Sequence, residues 1–260
     1  MTRSAWHIQK AVLFALYLRE LKTRFGAHRF GALWLVLEPM AHVMVMVTLF
    51  SFIRDRVVPG VDFAVFLLVG LVPFFMFKSI AIRIMEGVEG NRALFSYRHI
   101  TPMDVFITRA LLEVLLYALV YALLLVAMGM YGLDVRIAHP MDALLAFAQM
   151  ALFGFALGVV FSILVSYLPA AKIVIRIMFI PLYLMSGIIF PVARLPHDLL
   201  PWLLWNPLLH ATELSRAAMF AAYPLVPGID ISYVPLWTLC ALFAGLWFYR
   251  YRRFVLVANP

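Results

Sequence analysis

The sequence predicts an all-α integral membrane protein with six transmembrane helices. An N-terminal interfacial amphipathic helix, a helical cytoplasmic turn and a re-entrant helix pair before the last span complete the fold class. Three observations carry this reading. Of 260 residues, 65% are hydrophobic and only 13% are charged, against roughly 45–50% and about 25% in soluble domains. The mean hydropathy is +0.98, so a water-soluble globule would have to expose apolar patches that soluble monomers rarely carry. Polar and proline-containing segments also divide the apolar sequence into lengths that suit a bilayer. A soluble enzyme is excluded.

The first 25 residues read as neither a signal peptide nor a span. The apolar run 11–18 is short, and Arg19, Glu20, Lys22 and Arg24 follow it with no small-residue cleavage site. Trp6, Tyr17 and Phe25 among basic residues suit a helix lying in the cytoplasmic interface, within a segment of residues 1–30. It is either a charged anchor or a surface that a partner also grips.

A helix needs about 20 mostly apolar residues to cross a hydrocarbon core of roughly 30 Å. Residues 32–53, 63–85, 103–131, 141–168, 172–192 and 234–251 qualify, the third and fourth with length to spare for tilt. No internal repeat divides them, so residues 31–260 read as one domain. With the N-terminus inside, 16 of the 21 Lys and Arg fall on the cytoplasmic side, and Arg54, Arg56, Arg136, Arg194 and Arg216 fall outside. Both termini are therefore expected in the cytoplasm. The dispersed net charge of +8 reads as topology bias and contact with anionic headgroups, not as nucleic-acid binding. The single cysteine, Cys240, allows no intrachain disulfide and reads as a small buried hydrophobe.

Two connections look like more than loops. In the turn 91–100, Asn91 suits the cap of a short helix and Pro102 the opening of the next. Leu94, Phe95, Tyr97 and Ile100 give the turn an apolar side, which either docks in a partner's groove or packs on the bilayer surface. In the connection 190–233, Pro196, Pro201 and Pro207 forbid one continuous helix despite span-like apolar content. Asn206 before Pro207 starts a second short helix, giving a re-entrant pair over about 195–222. Irregular backbone at membrane depth is tolerated only inside protein or beside a wet cavity, so this pair is expected to line an exit path. Trp202 and Trp205 within it either stack on sugar rings or belong to an interfacial aromatic belt.

Charges inside the apolar stretches narrow the function. Trp34, Glu38 and His42 are spaced by four and share a helical face beside Pro39. Arg83, Arg109 and Glu113 follow in the next two stretches. Each would cost about 2.5–3.5 kcal/mol facing lipid at a helix centre, so they face protein or water. Either these charges pair between helices, for instance Glu38 with Arg83 or Arg109, or the group lines a pathway for an anionic, hydrated substrate. No two of the seven histidines are three or four apart, and no glycine-rich stretch leads into Lys-Ser/Thr. No metal, cofactor or catalytic site is expected in this chain, and any ATP and Mg would be bound by a partner ATPase.

The string Arg19-Glu20-Leu21-Lys22-Thr23-Arg24-Phe25-Gly26, then Gly31-Ala32-Leu33-Trp34 and Glu38-Pro39, resembles the entry to the membrane subunit of type-2 ABC exporters for polysaccharides. Leu195-Pro196, Asn206-Pro207-Leu208, His210, Glu213 and Arg216 resemble that family's C-terminal signature. The resemblance covers essentially the whole chain and is nearest the capsular-polysaccharide branch, the KpsM type. The O-antigen branch, other polymer exporters of teichoic-acid type, a small-drug or lipid exporter, and an integral-membrane enzyme acting on lipid-linked sugars are the alternatives.

The resemblance implies a homodimer in the bacterial inner membrane bound to two copies of a separate ABC ATPase, with ATP hydrolysed only there. It implies a lipid-linked acidic polysaccharide as cargo, passed on to a periplasmic co-polymerase adaptor and an outer-membrane channel. It makes residues of about 87–101 a coupling helix, with Asn91, Arg92, Leu94, Phe95, Tyr97 and Arg98 meeting the ATPase. Arg24, Arg29, Trp34, Glu38, His42, Arg83, Trp202 and Trp205 become candidates for substrate or lipid contact. Asn206, Pro207, Glu213 and Arg216 become the re-entrant motif.

Overall fold

Helix α3, Phe63–Met85, is uniformly apolar from Phe63 to Phe77, and a stretch apolar all round is one that is buried. Seventeen of its 23 residues are buried, under α5, α4, α8, α2 and α6. The structure is a computed structural model that describes residues 5–25, 31–53, 61–97, 99–196 and 198–258. Around α3 stand α1 (Ala5–Phe25), α2 (Gly31–Ile53), α4 (Pro102–Met130), α5 (Pro140–Tyr167), α6 (Ala171–Met185), α7 (Leu200–Leu203), α8 (Pro207–Met219) and α9 (Tyr233–Ala258). A 3₁₀ turn, Glu89–Ser96, joins α3 to α4. Among the described residues every regular element is helical. Three helices are each long and apolar enough to cross a membrane: Phe63–Met85, Pro102–Met130 and Pro140–Tyr167. A shorter apolar stretch, Val36–Phe50, lies in α2.

The entry to α4 shows how local sequence sets an element. Thr101 accepts from the Asp104 backbone N–H while Asp104 accepts from Thr101's, and Pro102 occupies the first turn. This reciprocal cap satisfies two donors that a helix start leaves open. Asp104 also accepts from Gln9 of α1, so the cap anchors the N-terminal helix as well. Helix α1 lies against α4 and α2, burying Leu16 while Trp6, Phe14 and Leu18 stay exposed.

Two expectations are corrected. The stretch 172–192 is not the one unbroken helix expected, because α6 stops at Met185. Gly187 then takes φ +65°, where a Cβ would meet Val192 Cγ2 at 2.6 Å, so only glycine fits and the chain turns back. Cys240 is exposed on the surface of this chain, not buried.

Helix α5 lies very close to α3 because glycines face it. A Cβ on Gly158 would stand 2.8 Å from Ile84 Cβ and 3.2 Å from Ala81 Cα, and one on Gly154 2.8 Å from the Phe77 carbonyl. Gly158→Val should therefore push the two helices apart and destabilise the fold by about 1–3 kcal/mol, as overpacking does. A lowered midpoint of thermal unfolding in detergent is expected. An unchanged midpoint would mean that α5 sits farther from α3 than described.

Candidate functional site

Charged side chains from four elements converge in the half of the bundle nearest the 3₁₀ turn. Glu113 of α4 is the centre: Arg24 Nη2 of α1 lies 2.5 Å from its Oε1, and Arg83 Nε of α3 lies 3.6 Å from the same oxygen. Ser79 donates to Oε2 at 2.7 Å. Glu20 of α1 receives Arg109 of α4 at 3.3 Å and Arg24 at 3.8 Å, while Arg109 also donates to the Arg83 carbonyl. Removing these charges from water is offset only by such pairing. Beside the network lies a cavity of about 300 Å³ lined by Arg24, Glu38, Pro39, His42, Lys78, Arg83 and Glu113, with Phe75 and Tyr117 among its walls.

Of the residues expected to touch substrate, Arg24, Glu38, His42 and Arg83 are thus brought together. Pairing between helices does form, but with other partners than Glu38: Arg83 meets Glu113 and Arg109 meets Glu20. His42 instead packs edge-on to Phe75, ring centroids 4.8 Å apart. Trp34, Trp202 and Trp205 are exposed on the chain's surface and line no part of this cavity. Arg29 lies outside the described residues. Lys78 is an addition; the sequence signal for it was a second cation in the second apolar stretch, which topology counting absorbed.

The 3₁₀ turn is held by its own chain on one face and open on the other. Asn91 does not cap it, since the turn starts at Glu89. Buried, Asn91 instead accepts from Arg19 of α1 at 2.6 Å and donates to the Gly87 carbonyl. Phe95 is inserted into the hydrophobic core and Leu94 packs against it. Arg92 and Tyr97 are exposed, and Arg98 lies outside the described residues. Salt bridges from Lys172 and Arg176 of α6 to Glu86, and from Lys172 to Glu89, tie the turn to a further helix. The Lys172 ammonium, 3.0 Å from Glu89, holds that carboxyl below the usual carboxylate range.

The residues expected to form a re-entrant motif lie at the opposite end of α3. Asn206 caps α8 by accepting from the Leu208 N–H, and Pro207 fills the first turn. Its amide also donates to the Ser186 hydroxyl. The first half-helix is a single turn, α7, since Pro201 and Asn206-Pro207 leave no room for more. Arg216 and Glu213 have no exposure at all and bond to each other at 3.0 Å. Arg216 further donates to the Gly187 and Ile188 carbonyls, each at 2.8 Å, and its guanidinium stacks 3.5 Å from the Phe66 ring centroid. Tyr223 donates to Glu213. His210 Nδ1 accepts from the Asp230 N–H, Nε2 contacts the Leu204 carbonyl, and its ring stacks on Tyr233. These residues fasten the α6–α8 turn to the bundle.

Arg216→Met should then cost about 3–5 kcal/mol, because it leaves the Glu213 carboxylate buried with the Tyr223 hydroxyl but no counter-charge. The double change Glu213→Met with Arg216→Met removes both charges and should be the more stable of the two variants. Thermal unfolding of the purified variants orders them; a double variant no more stable than the single would deny that the buried charge is what hurts.

Residues 11–220 match the family model described as ABC-2 type transporter. The chain is 40% identical over 253 residues to the polysialic acid transport protein KpsM of Escherichia coli, covering 97% of this chain and 98% of that protein. It is 33% identical over 215 residues to the capsule polysaccharide export inner-membrane protein CtrC of Neisseria meningitidis, 82% of this chain and 80% of the relative. With the capsule polysaccharide export inner-membrane protein BexB of Haemophilus influenzae it shares 29% identity over 216 residues, again 82% and 80%. With a family match over most of its length and likeness along nearly all of it, the chain belongs to the ABC-2 type transporter family.

Proposed function

We propose that this chain is the permease subunit of an ATP-driven exporter that moves lipid-linked capsular polysaccharide out of the cytoplasm across a bacterial inner membrane. The observation that carries the reading is the 40% identity to a polysialic acid transport protein over 97% of the chain. Likeness of that extent takes in the charged cavity, the 3₁₀ turn and the α7–α8 segment together. The functional assembly is a homodimer with six spans per chain and both termini in the cytoplasm, α1 lying in the membrane interface. Two copies of a separate ATPase hold ATP and Mg, and an adaptor and outer-membrane channel carry the polymer onward.

In this reading the 3₁₀ turn is the coupling element, and its two faces have different tasks. Phe95 and Asn91 bind it to its own chain, while Arg92 and the 64%-exposed Tyr97 meet the ATPase. Force on the turn passes to α3 and α4 directly, to α1 through Arg19, and to α6 through Lys172 and Arg176. Arg24, Glu38, His42 and Arg83 stand beside the cytoplasmic part of the route, where a moving anionic polymer meets weak, repeated contacts.

The test is the ATPase rate of the co-purified complex with and without lipid-anchored acidic polysaccharide. Stimulation by the polymer is expected. Tyr97→Ala should weaken ATPase association or abolish the stimulation with little change in unfolding midpoint. Phe95→Ala should lower the midpoint, since truncating a buried Phe costs about 3–5 kcal/mol. A complex that responds to small lipids or drugs and ignores the polymer would overturn the cargo; a chain that retains no ATPase would overturn the subunit assignment.

A further inference from the structure

His210 is 2% exposed, and three separate segments close on its imidazole. The Asp230 N–H, from the loop 220–232, donates to Nδ1 at 3.0 Å, and Nε2 lies 2.8 Å from the Leu204 carbonyl just past α7. Tyr233, the first residue of α9, stacks on the ring with centroids 4.4 Å apart, and its hydroxyl donates to the Trp205 carbonyl at 3.3 Å. Neither backbone partner of the ring can change role: an amide N–H only donates and a carbonyl only accepts. The ring is therefore neutral, with its proton on Nε2 and its lone pair on Nδ1. Apolar contacts complete the attachment, since Val226 and Ile229 of the loop pack among Leu204 and Leu209.

We infer that His210 is an acid-released clasp: its neutral ring pins the loop 220–232 and the start of α9 to the α7–α8 junction, and protonation of Nδ1 frees the loop. An imidazolium has two N–H donors and no lone pair. Nδ1–H would then face the Asp230 N–H, donor against donor, in a site closed to water, and a buried donor without an acceptor is costly. A small shift of the loop offers the Asp230 carboxylate in place of its N–H. The Ser232 N–H and hydroxyl hold that carboxyl below the ordinary carboxylate range, so it stays charged where imidazoles titrate. The other charged groups nearby do not compete. Glu213 and Arg216 on α8 are committed to each other, Arg194 and Asp198 beside α7 are exposed, and Tyr233 offers the face of its ring. The starts of α3 and α5 meet α8 at its far end, where Val65 packs with Met219 and the His139 N–H donates to the Ala218 carbonyl. Asp62, His139 and Asp142 are thus about two helical turns from His210. The Glu213–Arg216 pair stays sealed, so release is confined to the loop and the start of α9. That this end faces outward, toward acid in the surroundings, rests on the export reading above; the release itself does not.

The test is hydrogen exchange on the intact chain purified in detergent, followed in the peptide covering 220–232 between about pH 7.5 and about pH 5.5, a span that brackets imidazole titration. Rates are corrected for the intrinsic pH dependence of amide exchange, with α5 as the internal reference. Protection of the loop should fall about tenfold at the acid end, as one lost hydrogen bond implies, while α5 is unchanged. His210→Asn keeps an acceptor near the Nδ1 position and cannot take the proton, so its loop protection should be flat across the range. Asp230 is exposed, and Asp230→Asn keeps an oxygen for Ser232 while losing the charge that favours the imidazolium; release should move to lower pH. Unchanged wild-type protection across the range overturns the clasp, and so does an acid response that persists in His210→Asn. Polymer-stimulated ATPase from a chain whose loop ignores pH defeats this inference alone, and acid release in a chain indifferent to polymer defeats the export reading alone.

Discussion

The guanidinium of Arg216 has no contact with solvent, and inside an apolar bundle its charge must be met by protein. Glu213 meets the charge, and the carbonyls of Gly187 and Ile188 accept from the two terminal guanidinium nitrogens. Those carbonyls are available because the chain leaves helical geometry after Met185, which Gly187 alone permits. The broken helix and the buried cation thus require each other. An unbroken α6 would have left the arginine unsatisfied, and an apolar residue at 216 would have left two buried carbonyls open. Gly70 of α3 completes the fit, since a Cβ there would stand 3.1 Å from Arg216 Nη2.

The two ends of α3 consequently differ in character. At the α8 end the polar groups are sealed: Asn206, His210, Glu213 and Arg216 are buried and find partners within the same segment or the adjoining turn. At the end carrying the 3₁₀ turn, the ion pairs join separate helices and border a cavity, and several are partly exposed. Ion pairs in contact with water exchange partners at little cost, whereas sealed ones do not. Rearrangement belongs at the turn end.

Much of this was legible in the sequence, for identifiable reasons. Proline and asparagine act locally, so the start of α8 at Asn206-Pro207 and of α4 at Pro102 could be read directly. Four of the six apolar stretches predicted helices to within one residue at each end, because desolvated backbone has no other way to satisfy itself; α6 stops seven residues short and α9 runs seven past. The partners of charges were not legible. Glu38 lies near Arg83 around the cavity, but Glu113 reaches Arg83 first, and helix rotation decides that contest, not spacing along the chain. The same applies to Phe95, whose apolar character fitted either a partner's groove or its own core; the turn's rotation buries Phe95 and exposes Tyr97. Membership of the type-2 exporter family was readable from motif order, which survives when no single motif is decisive.

Helix α1 binds these parts into one device. Arg19 and Arg24 are five residues apart, about 140° around a helix of 3.6 residues per turn. They therefore point to different neighbours: Arg19 to Asn91 on the 3₁₀ turn, Arg24 to Glu113 at the cavity. Between them Glu20 holds Arg109 of α4, and Gln9 grips the α4 cap. A displacement of the turn large enough to move Asn91 must either break the Arg19 hydrogen bond or carry α1 with it. If α1 moves, Arg24 leaves Glu113, and the cavity's charge balance changes at once. The converse holds equally, because coupling between two sites is reciprocal: a ligand that draws Arg24 away from Glu113 biases the position of the turn. An N-terminal helix that looks like a membrane anchor thereby ties the charged cavity to the 3₁₀ turn, alongside the direct path through α3.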